Sequence, residues 1–208
     1  MTDVLNSIYD NKLVAIIRGV PSHQILQVAQ ALYTGGIRIV EITVDTPNVL
    51  QVIEQVRKEY DGKMIVGAGT VLDAETARAA IMAGSQFIFS PTVNENTIKI
   101  AKRYGVISIP GAMTPTEILT AYEFGGDIVK VFPATALGAN YLKDVKGPLP
   151  QIPLMPTGGV QLDNMSDYFE VGAVAVGLGS ALVKKLPNYG EKELSELTER
   201  TKLFVNQI

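Results

Sequence analysis

Two charged residues interrupt otherwise apolar runs of this chain. Lys130 lies in Asp127-Ile-Val-Lys-Val-Phe-Pro133, and Glu41 lies in Ile39-Val-Glu-Ile-Thr43. An ammonium inside an apolar strand is costly unless it is paired or sheds its proton. A lysine whose pKa is depressed in this way is a nucleophilic amine near neutral pH, as carbonyl attack and Schiff-base formation require. A carboxylate close to it can carry protons to and from the reacting atoms. The alternative for both residues is structural: a buried Lys–Glu pair, or a lysine that reaches the surface along its stem.

A second group is rich in glycine. Gly158-Gly159 and Gly177-Leu-Gly179-Ser180 each follow an apolar run. Bare glycines let backbone N–H groups approach an anion such as phosphate, although the same residues also serve tight turns. Arg18 ends another run and can bind an anionic substrate or pair with Glu41. Gly67-Ala-Gly-Thr70 ends a third, where the Thr70 hydroxyl can hold a carboxylate. Pro91 closes Phe87-Ile-Phe-Ser-Pro, and Phe132 follows the lysine as a candidate pocket wall.

These positions share one feature: each lies at the C-terminal end of a predicted strand. Strands are predicted at 13–17, 37–43, 64–67, 87–90, 106–110, 128–131, 154–157 and 173–177. The runs are apolar throughout, as in parallel strands covered on both faces. Helical periodicity and punctuation fill the intervals. Ser22 precedes a helix over 23–33, Pro47 opens another, and Asp73 caps 74–83. Thr114-Pro115 with Glu117 has the form of a capping box, and Asp163 or Asn164 starts a helix that ends at Gly172. Eight strand–helix units without a break in composition predict an α/β fold: a (β/α)8 TIM barrel forming one compact domain over 1–208, with 191–208 as a C-terminal helix. Active sites in that fold form at the C-terminal strand ends, often with a phosphate after strands seven and eight.

Composition narrows the chemistry. The 208 residues include no Cys, no Trp and one His, so thiolate chemistry and His-paired zinc sites are excluded and a Ser-His-Asp triad is disfavoured. The net charge of −3 argues against a polyanion-binding surface, and no nucleic-acid partner is expected. The N-terminus lacks the pattern of a secretory signal, and no apolar run approaches the ~20 residues of a bilayer span. A cytoplasmic protein without a membrane partner is the expectation.

The set Glu41-Ile-Thr, Gly67-Ala-Gly-Thr-Val, Phe87-Ile-Phe-Ser-Pro91, Ile109-Pro-Gly111, Lys130-Val-Phe-Pro-Ala134 and Pro156-Thr-Gly-Gly159 resembles the 2-keto-3-deoxy-6-phosphogluconate and 4-hydroxy-2-oxoglutarate aldolases, in order and over nearly the whole chain. The resemblance implies a class I lyase without metal or other cofactor. Such a lyase cleaves a 2-keto-3-deoxy sugar acid to pyruvate and an aldehyde, here glyceraldehyde 3-phosphate. It also implies a homotrimer. Carried over by motif, Lys130 forms the Schiff base, Glu41 is the general acid/base, and Thr70 holds the pyruvate carboxylate. Pro91 and Phe132 line the pocket, and Gly158, Gly159, Gly179 and Ser180 bind the distal phosphate. One position departs from the pattern: many members carry an Arg four residues after the Glu, where this chain has Asp45. A like-charge contact at ~4 Å and an effective dielectric of ~20 costs about 4 kcal/mol before relaxation. Either Asp45 points away, or Arg18 supplies the charge, or the substrate differs; 4-hydroxy-2-oxoglutarate and the galactonate epimer are the alternatives. A phosphosugar isomerase or epimerase, and a binding barrel without turnover, are competing readings of the same elements.

Overall fold

The computed structural model describes residues 2–208. Its strands are β1 (Leu13–Ile17), β2 (Ile39–Thr43), β3 (Ile65–Gly69), β4 (Phe87–Phe89), β5 (Ile107–Ile109), β6 (Gly111–Ala112), β7 (Val129–Val131), β8 (Leu154–Pro156) and β9 (Val176–Leu178). The helices are α1 (Thr2–Asn11), α2 (Ile25–Thr34), α3 (Val49–Glu59), α4 (Ala74–Met82), α5 (Glu95–Arg103), α6 (Pro115–Glu123), α7 (Gly138–Lys146), α8 (Met165–Glu170) and α9 (Glu191–Val205). The strands pair in parallel in a curled sheet. Six follow the order β5-β4-β3-β2-β1-β9 and three the order β6-β7-β8. A parallel bridge between Thr157 and Gly177 connects β8 to β9.

Each predicted strand is present, displaced by at most three residues at either end. The fifth departs from an uninterrupted eight-strand barrel. It stops at Ile109, and a separate two-residue strand, Gly111–Ala112, takes over the pairing with β7. Pro110 stands between them. Without an N–H it cannot donate to a ladder, but its carbonyl still accepts from the Lys130 N–H at 2.9 Å. Periodicity did not single out α1, α5 or α7. Asn94 caps α5, its side chain accepting from the Thr97 N–H at 2.9 Å. Around Ser22 the chain forms a 3-10 turn, Ser22–Gln24, before α2. The other expected caps are present: Asp73 accepts from the Thr76 N–H at 2.6 Å, and Thr114 and Glu117 form a capping box. Each is worth about 1 kcal/mol.

Alternation along the strands divides the core into two clusters. Ala15, Ile17, Val40, Ile42, Val66, Ala68, Ile88, Val129 and Val131 face the helices. Val14, Ile16, Ile39, Phe87, Phe89, Ile107, Ile109, Ile128 and Met155 face the inside of the curl, where Ile8 of α1 joins them. Phe87 and Phe89 pack edge to face at 6.5 Å between centroids, and full burial of each ring contributes about 1.5–3 kcal/mol. By the same alternation Glu41, two residues after Ile39, and Lys130, two after Ile128, point inward. Asp127 holds the register of β7 against β5: its carboxylate accepts from the Ser108 N–H at 2.8 Å and pairs with Lys102, while its own N–H donates to the Ser108 carbonyl at 2.9 Å.

Candidate active site

Above the inner apolar cluster, at the C-terminal strand ends, lies a cavity of about 490 Å³. Lys130 and Glu41 form its floor, 5% and 1% exposed. The Lys130 ammonium lies over two aromatic rings, 4.3 Å from the Phe89 centroid and 4.5 Å from that of Phe132. Burial lowers its pKa from 10.5 to about 8; Glu41 opposes that shift, and Arg18 adds to it. Burial also raises the Glu41 carboxyl from 4.5 to about 7, against the pull of Lys130 and Arg18 and with a push from Asp45. Each group is thus brought toward neutrality, where an amine attacks and a carboxyl exchanges protons at little cost. Glu41 Oε2 is buried and has no hydrogen-bond partner. An unpartnered buried carboxylate oxygen is costly as a structural element and useful as an acceptor for an incoming hydroxyl.

Gly69 of β3 makes room for that carboxylate. A Cβ built there would lie 1.5 Å from Glu41 Oε2, so only a bare α-carbon accommodates the side chain as it stands. Beyond β3, Thr70 adopts φ 59°, and the Arg18 guanidinium donates a short hydrogen bond to its hydroxyl. A cation and a hydroxyl side by side form a natural seat for a carboxylate. Asp45 is exposed and does not line the cavity, whereas Arg18 does. Of the three explanations for Asp45, its pointing away and compensation by Arg18 match this geometry.

Of the ten site residues expected from the sequence, the cavity gathers nine: Arg18, Glu41, Thr70, Pro91, Lys130, Phe132, Gly158, Gly179 and Ser180. Gly159 is not among the lining residues. At φ 79° its α-carbon backs onto Thr135, whose methyl would meet a Cβ at 2.2 Å. Gly158, at φ 83°, turns the chain beneath the Phe132 ring. The wall also contains Ile16, Val183 and Lys185, which the sequence reading did not propose. Ile16 could have been found from the alternation of β1, whereas Val183 and Lys185 lie in an irregular segment that offers no such signal. Among the described residues, no group of three or more His, Asp or Glu side chains is arranged to hold a metal ion.

A parallel α/β sheet with a buried lysine and a carboxyl near neutrality at its C-terminal end defines a candidate Schiff-base enzyme. Comparison with known proteins identifies the family. Residues 4–196 match the family described as "Aldolase: KDPG and KHG aldolase". The chain is 36% identical to the 2-dehydro-3-deoxy-6-phosphogalactonate aldolase of Escherichia coli K12, covering 83% of this chain and 84% of that one. It is 39% identical to the 2-dehydro-3-deoxy-phosphogluconate aldolase of Treponema pallidum, covering 74% of each. The Legionella pneumophila KDPG aldolase, with pyruvate captured at low pH as a covalent carbinolamine, superposes with a TM-score of 0.85 at 27% identity, over 95% of this chain and 96% of that one. The chain belongs to the KDPG and KHG aldolase family, and so to the lyases.

Proposed function

We propose that this enzyme cleaves a 2-keto-3-deoxy sugar acid with a distal phosphate, the 6-phosphogluconate-derived acid or its galactonate epimer, to pyruvate and glyceraldehyde 3-phosphate. The observation that carries this reading is the buried Lys130–Glu41 pair with its two pKa values moved toward neutrality. Neutral Lys130 attacks the C2 carbonyl, and the carbinolamine loses water to give a protonated imine. Glu41 takes the C4 hydroxyl proton. The C3–C4 electron pair moves into the imine, the aldehyde leaves, and an enamine remains. Protonation at C3 and attack of water at C2 release pyruvate and regenerate the amine. Arg18 and Thr70 hold the carboxylate, Pro91 and Phe132 wall the reacting carbons, and the backbone at Gly158, Gly179 and Ser180 receives the phosphate.

Supported by the Thr157–Gly177 bridge and the hand-over at Pro110, the fold is read as a closed (β/α)8 barrel with one interrupted strand, in a single domain. The family resemblance supports a homotrimer, which light scattering would test. A cytoplasmic location is proposed for a chain in which no described helix is long and apolar enough to cross a membrane. The central test is borohydride reduction in the presence of pyruvate. One pyruvate-derived adduct, mapped to Lys130, is expected; an adduct elsewhere, or none, overturns the mechanism.

A further inference from the structure

The mouth of the cavity holds two cations, and they are not equivalent. Arg18 is tied to Thr70 at the end of β3. Lys185 enters from the segment after β9, beyond the Gly179-Ser180 turn, and lines the same cavity. Its stem lies against the bare α-carbon of Gly19, where a Cβ would meet Lys185 Cγ and Cδ at 2.9 Å. Among the described residues its ammonium makes no ion pair. In the order β3-β2-β1-β9, Thr70 and the Gly179-Ser180 turn are three strand spacings apart, about 14 Å along the sheet and less across the curl. Arg18, which follows β1, reaches the first, and Lys185 lies against Gly19, the next residue. That spacing suits a linear acid charged at both ends.

We propose that Lys185 sets this enzyme's preference for substrates with a distal anionic group. The proposal rests on the aldolase reading above and adds to it a residue that the family motifs did not supply. The glycine turns at strands eight and nine offer N–H groups but no formal charge, and Arg18 is engaged at the other end. Lys185 supplies the charge, and the packing of its stem on Gly19 restricts where its ammonium can reach. Because the ammonium is exposed, an acceptor without phosphate leaves it in water at no cost. The residue therefore rewards a charged substrate rather than penalising a neutral one.

The test is the aldol reaction of pyruvate with glyceraldehyde 3-phosphate and with unphosphorylated glyceraldehyde, in wild type, Lys185→Gln and Lys185→Arg. Lys185→Gln should lower kcat/KM for the phosphorylated acceptor roughly five- to thirtyfold, as for a charge-assisted contact at an exposed site. It should change the other acceptor by less than about twofold. It should also weaken competitive inhibition by inorganic phosphate, and Lys185→Arg should restore most of both effects. Equal losses for both acceptors, or unchanged discrimination, would overturn the proposal. Borohydride trapping with pyruvate alone separates this outcome from a wrong mechanism. If both wild type and Lys185→Gln are trapped, the aldolase reading stands whatever Lys185 does; if wild type is not trapped, that reading falls and the proposal falls with it.

Discussion

The floor and the rim of the cavity treat charge in opposite ways. At the floor, Glu41 and Lys130 are surrounded by Ile16, Phe89 and Phe132, and burial brings both toward neutrality. At the rim, Arg18 and Lys185 are exposed to solvent. Bond making requires groups that can change protonation state near neutral pH, and desolvation is what tunes them. Recognition requires charged groups within reach of an incoming ligand, and the rim supplies them. Mutations at the floor should therefore alter the chemical step and its pH dependence, whereas mutations at the rim should alter capture.

The largest effect is expected at Lys130. Lys130→Ala should abolish pyruvate trapping and lower turnover by about 10⁴-fold or more. Lys130→Arg should do the same, because a guanidinium keeps its proton. Retained trapping in either variant would move the nucleophile elsewhere.

Glu41→Gln comes next, with a loss of about 10²–10⁴-fold in turnover and removal of the acidic limb of the rate profile that the carboxyl gives near pH 7. The same variant has a stability signature. A carboxyl raised on folding contributes stability that is fully present below its unfolded value of 4.5 and is lost as pH rises through about 7. From pH 4.5 to pH 8 the denaturant midpoint should therefore fall further in wild type than in Glu41→Gln. A parallel dependence in the two proteins would contradict the buried carboxyl.

Gly69→Ala should displace the carboxylate without removing it. With 1.5 Å between the new Cβ and Glu41 Oε2, either the side chain or the strand must shift, and misplacement of this kind costs about 10²-fold. A loss in kcat with a folded, trappable enzyme is the expected pattern.

The rim effects are smaller. Arg18→Ala should weaken pyruvate capture by about 10–100-fold, the range for a hydrogen-bonded charge, with KM absorbing most of the loss. Asp45→Ala should be mild. If it were instead the damaging change, the exposed carboxylate would be reading a donor on the substrate. Gly179 is the gentlest probe of the other end: nothing lies within 4 Å of its missing Cβ, so Gly179→Val should fold and raise KM selectively for phosphorylated acceptors.

The sequence made the floor readable because a charge inside an apolar run is conspicuous, and Lys130 and Glu41 were identified from their neighbours alone. The strands were readable for the complementary reason, since runs such as Leu13–Ile17 can hardly be anything but buried. The rim was less legible. Lys185 lies in an irregular segment where a lysine carries no signal of its own, and only the folded chain shows that its stem crosses Gly19 to line the cavity. Helix α1 is not legible in the sequence because Ile8 alone among its described side chains is fully buried, too little for a periodic stripe. A glycine pair in a sequence does not say which member faces the cavity: Gly158 lines it, and Gly159 packs on Thr135.

Asp127 has a consequence for how freely such a site can be rebuilt. By fastening the start of β7 to both the N–H and the carbonyl of Ser108, it fixes which residues of Val129-Lys-Val131 count as odd and which as even. The nucleophile is in this sense a matter of parity: a slip of one residue would turn Lys130 out toward the helices and bring a valine to the floor. Transplanting the amine along this strand is possible only in steps of two. One such step backward leads to position 128, deep in the inner apolar cluster, and one step forward leads to position 132, where Phe132, its N–H bonded to the Ala112 carbonyl at 3.0 Å, already walls the cavity. The lysine has one workable address on its strand, and a carboxylate three residues before it holds that address in place.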